Sequence, residues 1–96
     1  MYQVKQTEQF TAWFAKVRDL KARIAIARRL ERAQAGNLGD HKPVGDGVSE
    51  MRIDVGPGFR VYYTLRGKEL IIVLAGGNKN TQTADIKKAK ALAKEV

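Results

Sequence analysis

Apolar and polar side chains alternate or recur along the chain with spacings that predict its first two elements. Residues 2–6, YQVKQ, alternate apolar and polar side chains, which is typical of a short strand. Aromatic residues at helical spacing follow, and they predict a first helix over about 8–18 with Thr7 as its N-cap. We expect Trp13, on the apolar side of this helix, to pack against the sheet.

A second helical pattern begins after Asp19, whose carboxylate is suited to cap a helix N-terminus. Gly36 and Asn37 supply the stop that is common after a helix C-terminus. The segment 36–47, GNLGDHKPVGDG, is rich in glycine and contains proline, so the pattern predicts a loop there. The predicted buried stripe of the second helix is Leu20, Ile24, Ala27 and Leu30.

The second half of the chain predicts three strands and a last helix. The strands cover about 48–55, 59–66 and 69–75, and the segment NTQTADIKKAKALAKEV has a capped, amphipathic helical pattern. The third of these strands is apolar on both faces, so we expect it in the interior of the sheet. The order β-α-α-β-β-β-α predicts a single α+β domain over 1–96. The predicted domain has a mostly antiparallel four-stranded sheet, a helical hairpin and a C-terminal helix.

The stretch SEMRIDVGPGFRVYYTLRG, residues 49–67, places charged side chains on one face of a predicted hairpin. If GPG forms a three-residue turn that pairs Val55 with Phe59, one face is apolar and the other is polar. Arg66 falls on the polar face as well. The expected cross-strand pairs are Asp54 with Arg60, Arg52 with Tyr62, and Glu50 with Thr64.

An exposed sheet face often carries charges, and a cross-strand carboxylate–arginine pair contributes only ~0.2–1 kcal/mol. Two features favour a functional interpretation of this face. Lys79 follows the interior strand in AGGNKN, where Gly76 and Gly77 allow a close approach to the backbone. Arg52 and Arg60 are arginines and not lysines, and a planar guanidinium binds phosphate through two hydrogen bonds.

Such a cluster suits cleavage of RNA by attack of a ribose 2′-hydroxyl on the neighbouring phosphate. This reaction needs a base, fixed positive charge and an acid. We expect Arg60 and Arg52 to hold the phosphate, Glu50 to act as base, and Lys79 to supply charge or a proton. Tyr62 is expected to stack on a nucleobase or to orient the nucleophile. Arg66, on the same face, is expected to contact the RNA as well. No metal or cofactor is expected.

The charge and composition of the chain indicate what kind of partner it binds and in which compartment it is found. The chain has 18 Lys and Arg against 10 Asp and Glu, a net charge of +8, which favours a polyanion or an acidic protein as partner. It has no cysteine, no apolar segment long enough to cross a membrane and no signal-peptide pattern at its start, so we expect a cytoplasmic protein. His41, the lone histidine, falls in the predicted loop and is expected to be exposed.

Three segments resemble a known family: GVSEMRIDVGPGFRVYY, LAGGNKNTQTADIKKA and the loop GDHKPVGDG at 39–47. The chain resembles the RelE/ParE-type toxins of bacterial toxin–antitoxin pairs. More narrowly, it is similar to the HigB-like addiction module killer proteins, which are related to phage proteins. The resemblance implies the RelE-like α+β microdomain.

The resemblance also implies metal-independent cleavage of mRNA in the ribosomal A site. It places the phosphate-binding strand arginine of the family on Arg60, the basic residue after the interior strand on Lys79, and a basic position of the preceding strand on Arg52. Glu50 departs from the family pattern because it occupies a second basic position. The tyrosine in the last helix of RelE has no counterpart at 85–87.

The leading functional hypothesis is therefore a type II toxin that cleaves mRNA and inhibits translation. ParE-like relatives are implied to bind and inhibit DNA gyrase without catalysis, and a non-catalytic RNA-binding or phage structural protein is a third possibility. The expected partners are an antitoxin, of helix-turn-helix type by resemblance, mRNA on the ribosome and ribosomal RNA. A basic run on the second helix is either a solvated face or a contact surface for ribosomal RNA or the antitoxin. Its residues are Lys21, Arg28 and Arg32.

Overall fold

Three helices pack on a five-stranded sheet in the computed structural model, which describes residues 1–96. The elements are β1 (Gln3–Gln6), α1 (Glu8–Ala15), α2 (Leu20–Gln34), β2 (His41–Gly45), β3 (Val48–Ile53), β4 (Phe59–Arg66), β5 (Leu70–Asn78) and α3 (Gln82–Ala93). The strand order is β1-β5-β4-β3-β2, with β1 parallel to β5 and every other pair antiparallel. The α+β class and the interior position of β5 are confirmed.

The sheet has one more strand than the pattern predicts, because β2 lies inside the segment 36–47 that we expected to be a loop. β2 is an edge strand that pairs only with β3. Proline lacks a backbone N–H and is tolerated at a sheet edge, so Pro43 is compatible with this position. The pairing shifts register between Pro43 and Gly45, and His41 is exposed as expected.

Both predicted N-caps are confirmed. The Thr7 hydroxyl accepts a hydrogen bond from the Phe10 backbone N–H at 3.1 Å and donates one to the Leu74 carbonyl at 2.7 Å. The Asp19 carboxylate accepts from the Lys21 N–H at 2.9 Å and starts α2. Thr7 therefore fixes the start of α1 to the sheet as well as capping it.

The buried face of α2 is not the predicted one. Leu20 is 68% exposed and Ile24 is 44% exposed, and Ala27 also faces solvent; only Leu30 of the predicted stripe is buried. The helix carries a second apolar stripe, which shares Leu30 with the predicted one and is rotated from it by about a third of a turn around the helix axis. This buried stripe consists of Ala22, Ile26, Leu30 and Ala33.

The sheet separates two apolar layers. One face packs against α1 and α2 through a cluster that includes Phe10, Ile26 and Val61, and Trp13 packs on its margin as expected. The other face packs against α3 through a cluster that includes Tyr62 and Leu74. The hairpin face that carries the charged residues is therefore the face that α3 partly covers.

None of the three helices combines the length and the apolar character needed to cross a membrane.

Candidate functional site

The β3–β4 hairpin has a register that differs by two residues from the predicted one. Ile53 pairs with Phe59, and the five residues 54–58 form the connection, in which the Gly58 N–H donates to the Val55 carbonyl at 3.1 Å. Asp54 is consequently exposed in the connection and pairs with no arginine. A shift of two residues leaves each side chain on its predicted face because strands repeat every second residue. The observed pairs are Arg52 with Arg60, Glu50 with Tyr62, and Val48 with Thr64.

Glu50 is the centre of the polar cluster and is fully buried. Arg52 Nε donates to Glu50 Oε2 at 3.0 Å, and Arg60 Nε lies 3.7 Å from the same oxygen. The other carboxylate oxygen, Oε1, accepts from Gln82 Nε2 at 2.7 Å. One buried carboxylate thus holds two arginines of adjacent strands beside the first turn of α3.

Tyr62 lies beside Glu50 on the same face and has no solvent-exposed surface. Burial, reinforced by the negative charges of Glu50 and Asp85, raises the pKa of Tyr62 above the ordinary tyrosine range. Its hydroxyl has no hydrogen-bond partner within the chain. The expected stacking of Tyr62 on a nucleobase is incompatible with this arrangement, because α3 covers the ring.

Lys79 extends from the end of β5 to the neighbourhood of Arg60. Its backbone N–H donates to the Gly58 carbonyl at 2.9 Å. A methyl group at Gly58 would lie 3.4 Å from Lys79 Cδ and 3.7 Å from Arg60 Nη1, so both side chains flank this glycine. The structure therefore brings the exposed ammonium group of Lys79 and the guanidinium of Arg60 to the same end of the sheet.

The first turn of α3 adds polar residues that the sequence pattern did not single out. Gln82 anchors Glu50, and the Asp85 carboxylate lies directly over Gly77, which pairs with Arg60. The Thr81 hydroxyl donates to Asp85. The close approach expected at Gly77 is thus made by the chain's own Asp85. The position in the chain gave a signal for them: only three residues separate the end of β5 from the start of α3, so the first turn of α3 must lie at this end of the sheet.

The remaining predicted site residues lie elsewhere. Arg66 is at the opposite end of β4, where its guanidinium donates to the Ala93 and Val96 carbonyls at the end of α3. The basic residues of α2 are exposed on the layer that covers the other face of the sheet. They form a separate basic surface, which consists of Lys21, Arg28 and Arg32.

The site is a cationic cluster, formed by Arg52, Arg60 and Lys79, with one buried counter-charge, the Glu50 carboxylate. Arg52 has a side chain 38% exposed and Arg60 one 15% exposed, so both reach solvent, and Lys79 lies beside Arg60. Fixed guanidinium groups with an adjacent ammonium group are suited to bind a phosphate and to stabilise negative charge that develops on it. Nowhere does the fold gather three side chains of His, Asp or Glu that could hold a metal ion.

The fold resembles RelE. It matches a chain of the crystal structure of the intact E. coli RelBE toxin–antitoxin complex with a TM-score of 0.67. The match covers 81% of this chain and 96% of that chain at 15% sequence identity. This comparison defines the fold class as RelE-like α+β and confirms the fold that the resemblance implied.

The sequence itself identifies the family. Residues 12–96 match the family described as phage-derived protein Gp49-like (DUF891). The chain is also 48% identical over 94 residues to an uncharacterized protein of Haemophilus influenzae (strain Rd), a match that covers 98% of this chain and 95% of that protein. The chain belongs to the Gp49-like family of phage-derived proteins. Membership of the narrower HigB-like branch stays a prediction.

Proposed function

We propose that this protein is the toxin of a type II toxin–antitoxin pair and that it inhibits translation as a ribosome-dependent mRNA endoribonuclease. The observation that carries the proposal is the grouping of Arg52, Arg60 and Lys79 at one end of the sheet. The RelE-like fold and the Gp49-like family support the toxin class. The site chemistry supports the nuclease, because an inhibitor that only binds has no need of three cations grouped at one end of a single sheet face.

The proposed reaction is an in-line displacement. The ribose 2′-oxygen attacks the adjacent phosphorus and the bond from phosphorus to the 5′-oxygen breaks, which leaves a 2′,3′-cyclic phosphate and a 5′-hydroxyl end. The 2′ proton passes to a base, and the leaving 5′-oxygen receives a proton. Arg60 and Arg52 hold the phosphate, and Lys79 stabilises the developing charge or donates the proton. These positive charges supply the stabilisation without a metal ion.

The carboxylates of the cluster have different positions and different expected roles. Both oxygens of Glu50 already accept from Gln82 and Arg52, so its first role is to position the arginines. To accept the 2′ proton, Glu50 has to release one of these partners. Asp85, over Gly77, is the second carboxylate of the cluster and the alternative proton acceptor.

The proposed partner in the absence of RNA is an antitoxin, expected to be a helix-turn-helix protein. The structure to which this fold is similar is described as an intact toxin–antitoxin complex. The net charge of +8 favours a partner with an acidic segment, because complementary charge speeds association and selects the partner.

Expression of the chain alone in a bacterial host tests the proposal. We expect growth arrest with early loss of amino-acid incorporation into protein. Arg60→Ala should abolish both effects, whereas Lys68→Ala, at an exposed lysine in the β4–β5 turn, should retain them. Arrest that begins with DNA damage and leaves translation intact would instead indicate gyrase as target. Normal growth would indicate a non-catalytic protein of the same fold.

A further inference from the structure

A groove of about 290 Å³ lies next to the cationic cluster, on the other side of the β3–β4 connection. We call it the aromatic groove. Its walls come from the end of α1, the α1–α2 connection and the β3–β4 connection. The residues that matter for its chemistry are Trp13, Lys16, Arg18, Asp19, Pro57 and Phe59.

The apolar part of the groove is suited to a flat ligand. Trp13 and Phe59 are both half-buried, and their ring centroids lie 6.2 Å apart at an interplanar angle of 65°. Trp13 is fixed in place because its six-membered ring lies against Gly76, where a Cβ would come within 2.3 Å of Trp13 Cζ3. Nucleobases stack on aromatic side chains with little dependence on sequence.

The charged residues that line the groove favour a nucleobase over a phosphate as its occupant. Lys16 and Arg18 are exposed at the groove and attract a nucleic-acid backbone. The Asp19 carboxylate also lines the groove, next to Gly56 of the β3–β4 connection, and one of its oxygens is engaged in capping α2. A carboxylate repels a phosphate inside the groove, but its second oxygen can accept from the amino group of a base.

The groove and the cationic cluster lie on the two sides of the β3–β4 connection. A methyl group at Gly56 would lie 3.7 Å from both Asp19 Oδ2 and the Phe59 ring, on the groove side. A methyl group at Gly58, two residues on, would lie against Lys79 and Arg60 on the cluster side. A strand that has a phosphate at Arg60 can therefore place a neighbouring base in the groove by crossing residues 56–58.

We infer that the aromatic groove is a nucleobase-binding subsite of the RNA strand whose phosphate is held by the cationic cluster. The inference rests on the proposed function, since it assumes that RNA is bound at the cluster. Lys16 and Arg18 bind backbone phosphates at the rim, and Trp13 and Phe59 contact the base. Recognition by stacking predicts tolerance of different bases at this position.

Trp13 is the only tryptophan of the chain, so its fluorescence reports directly on the groove. The probe is a short 2′-O-methyl oligoadenylate, which lacks the attacking hydroxyl and cannot be cleaved by the proposed reaction. Its control is an abasic oligomer of the same length and charge. We expect the oligoadenylate to quench Trp13 and the abasic oligomer to bind about 5- to 100-fold more weakly without quenching. Lys16→Gln and Arg18→Gln should weaken binding, whereas Lys68→Gln should not.

Binding of the oligoadenylate, measured by anisotropy, without a change in Trp13 fluorescence would overturn the subsite. Equal affinity for the abasic oligomer, or no binding of either, would overturn it as well. These results are separate from the test of the nuclease, which reads growth and translation with Arg60→Ala. Quenching by the base in a protein whose expression leaves growth and translation intact would retain the subsite and reject the nuclease.

Discussion

Arginine side chains of α2 stabilise this fold in ways that a basic helical run does not suggest. Arg23 donates to the Phe14 carbonyl at 2.7 Å, and its guanidinium lies 4.4 Å from the centroid of the Phe14 ring. Arg29 donates to the carbonyls of Leu38 and Arg52. Burial lowers the pKa of Arg29 from its usual value, although such a shift leaves it charged at neutral pH. Arg23 and Arg29 are therefore structural residues and not members of a freely solvated face.

Replacement of Glu50 tests whether the buried carboxylate organises the cluster. In Glu50→Gln the two arginines lose their counter-charge, and we expect the unfolding free energy to fall by about 1–3 kcal/mol. Toxicity should fall as well, since Arg52 and Arg60 lose their fixed positions. Urea denaturation gives the stability change, and Glu69→Gln, at an exposed turn residue, is the control. A denaturation midpoint equal to that of the wild type would mean that the arginines do not depend on Glu50.

Tyr62 provides a test that depends on pH. Its hydroxyl is buried without a partner, so Tyr62→Phe should leave the unfolding free energy at neutral pH unchanged or raise it by about 1 kcal/mol. Because the folded state raises the pKa of Tyr62, the unfolded chain releases this proton first above about pH 10. Below that pH the ionisation of Tyr62 does not change the unfolding free energy. Above it, the unfolding free energy of the wild type falls by about 1.4 kcal/mol per pH unit because of this one proton.

The difference between the wild type and Tyr62→Phe isolates this effect from the titration of the lysines. Urea denaturation of both proteins from neutral pH to above pH 10 should show the wild type losing stability relative to the variant. Parallel curves over that range would contradict a buried, neutral Tyr62.

At the scale of elements, α2 shows how a helical pattern can be ambiguous. Leu20 and Ile24 are large and apolar, yet they are exposed, whereas the buried stripe contains only one β-branched residue, Ile26, besides Leu30 and two alanines. Periodicity identifies the helix but does not say which of two apolar stripes contacts the sheet. Tertiary contacts decide between them, since Ile26, Leu30 and Ala33 join one core cluster with side chains of the sheet.

A matched pair of isoleucines on α2 tests that assignment. Ile26→Ala removes a fully buried side chain from the first core cluster, so we expect a loss of about 2–4 kcal/mol in unfolding free energy. Ile24→Ala, at a residue 44% exposed, should cost less than about 1 kcal/mol. Urea denaturation of both variants compares the same substitution on two sides of one helix. Equal losses would contradict the observed orientation of α2.

The hairpin shows which parts of the site could be predicted from the sequence. Alternation with a period of two correctly put Glu50, Arg52, Arg60 and Tyr62 on one face, because that period does not depend on the register. The register itself depends on the length of the connection, and the turn residues did not reveal it. The contacts of Glu50 with Gln82 join residues 32 positions apart, so no local pattern could predict them.

For the whole molecule, the distribution of positive charge matters more than its total. Arg52, Arg60 and Lys79 gather at one end of the sheet, whereas the basic residues of α2 lie on the layer over the opposite face. Each phosphate that a protein neutralises on a single strand contributes about −0.7 to the slope of log affinity against log salt. The cationic cluster is thus expected to contribute measurably to the salt dependence of RNA binding.

Salt titrations test that expectation. Anisotropy of a labelled 2′-O-methyl oligonucleotide at several salt concentrations should give a slope that is shallower by about 0.7 in Arg60→Ala than in the wild type. Lys68→Ala should keep the wild-type slope. The same slope in all three proteins would place the RNA backbone away from Arg60.

The most direct test of the central claim is to map mRNA 5′ ends in a bacterial host after induction of the chain without an antitoxin. We expect new internal ends within translated regions that carry a 5′-hydroxyl, and their loss in Arg60→Ala produced at the same level. Growth arrest of the wild type without new internal ends would contradict the nuclease, and cuts that persist in Arg60→Ala would contradict the role of the cationic cluster.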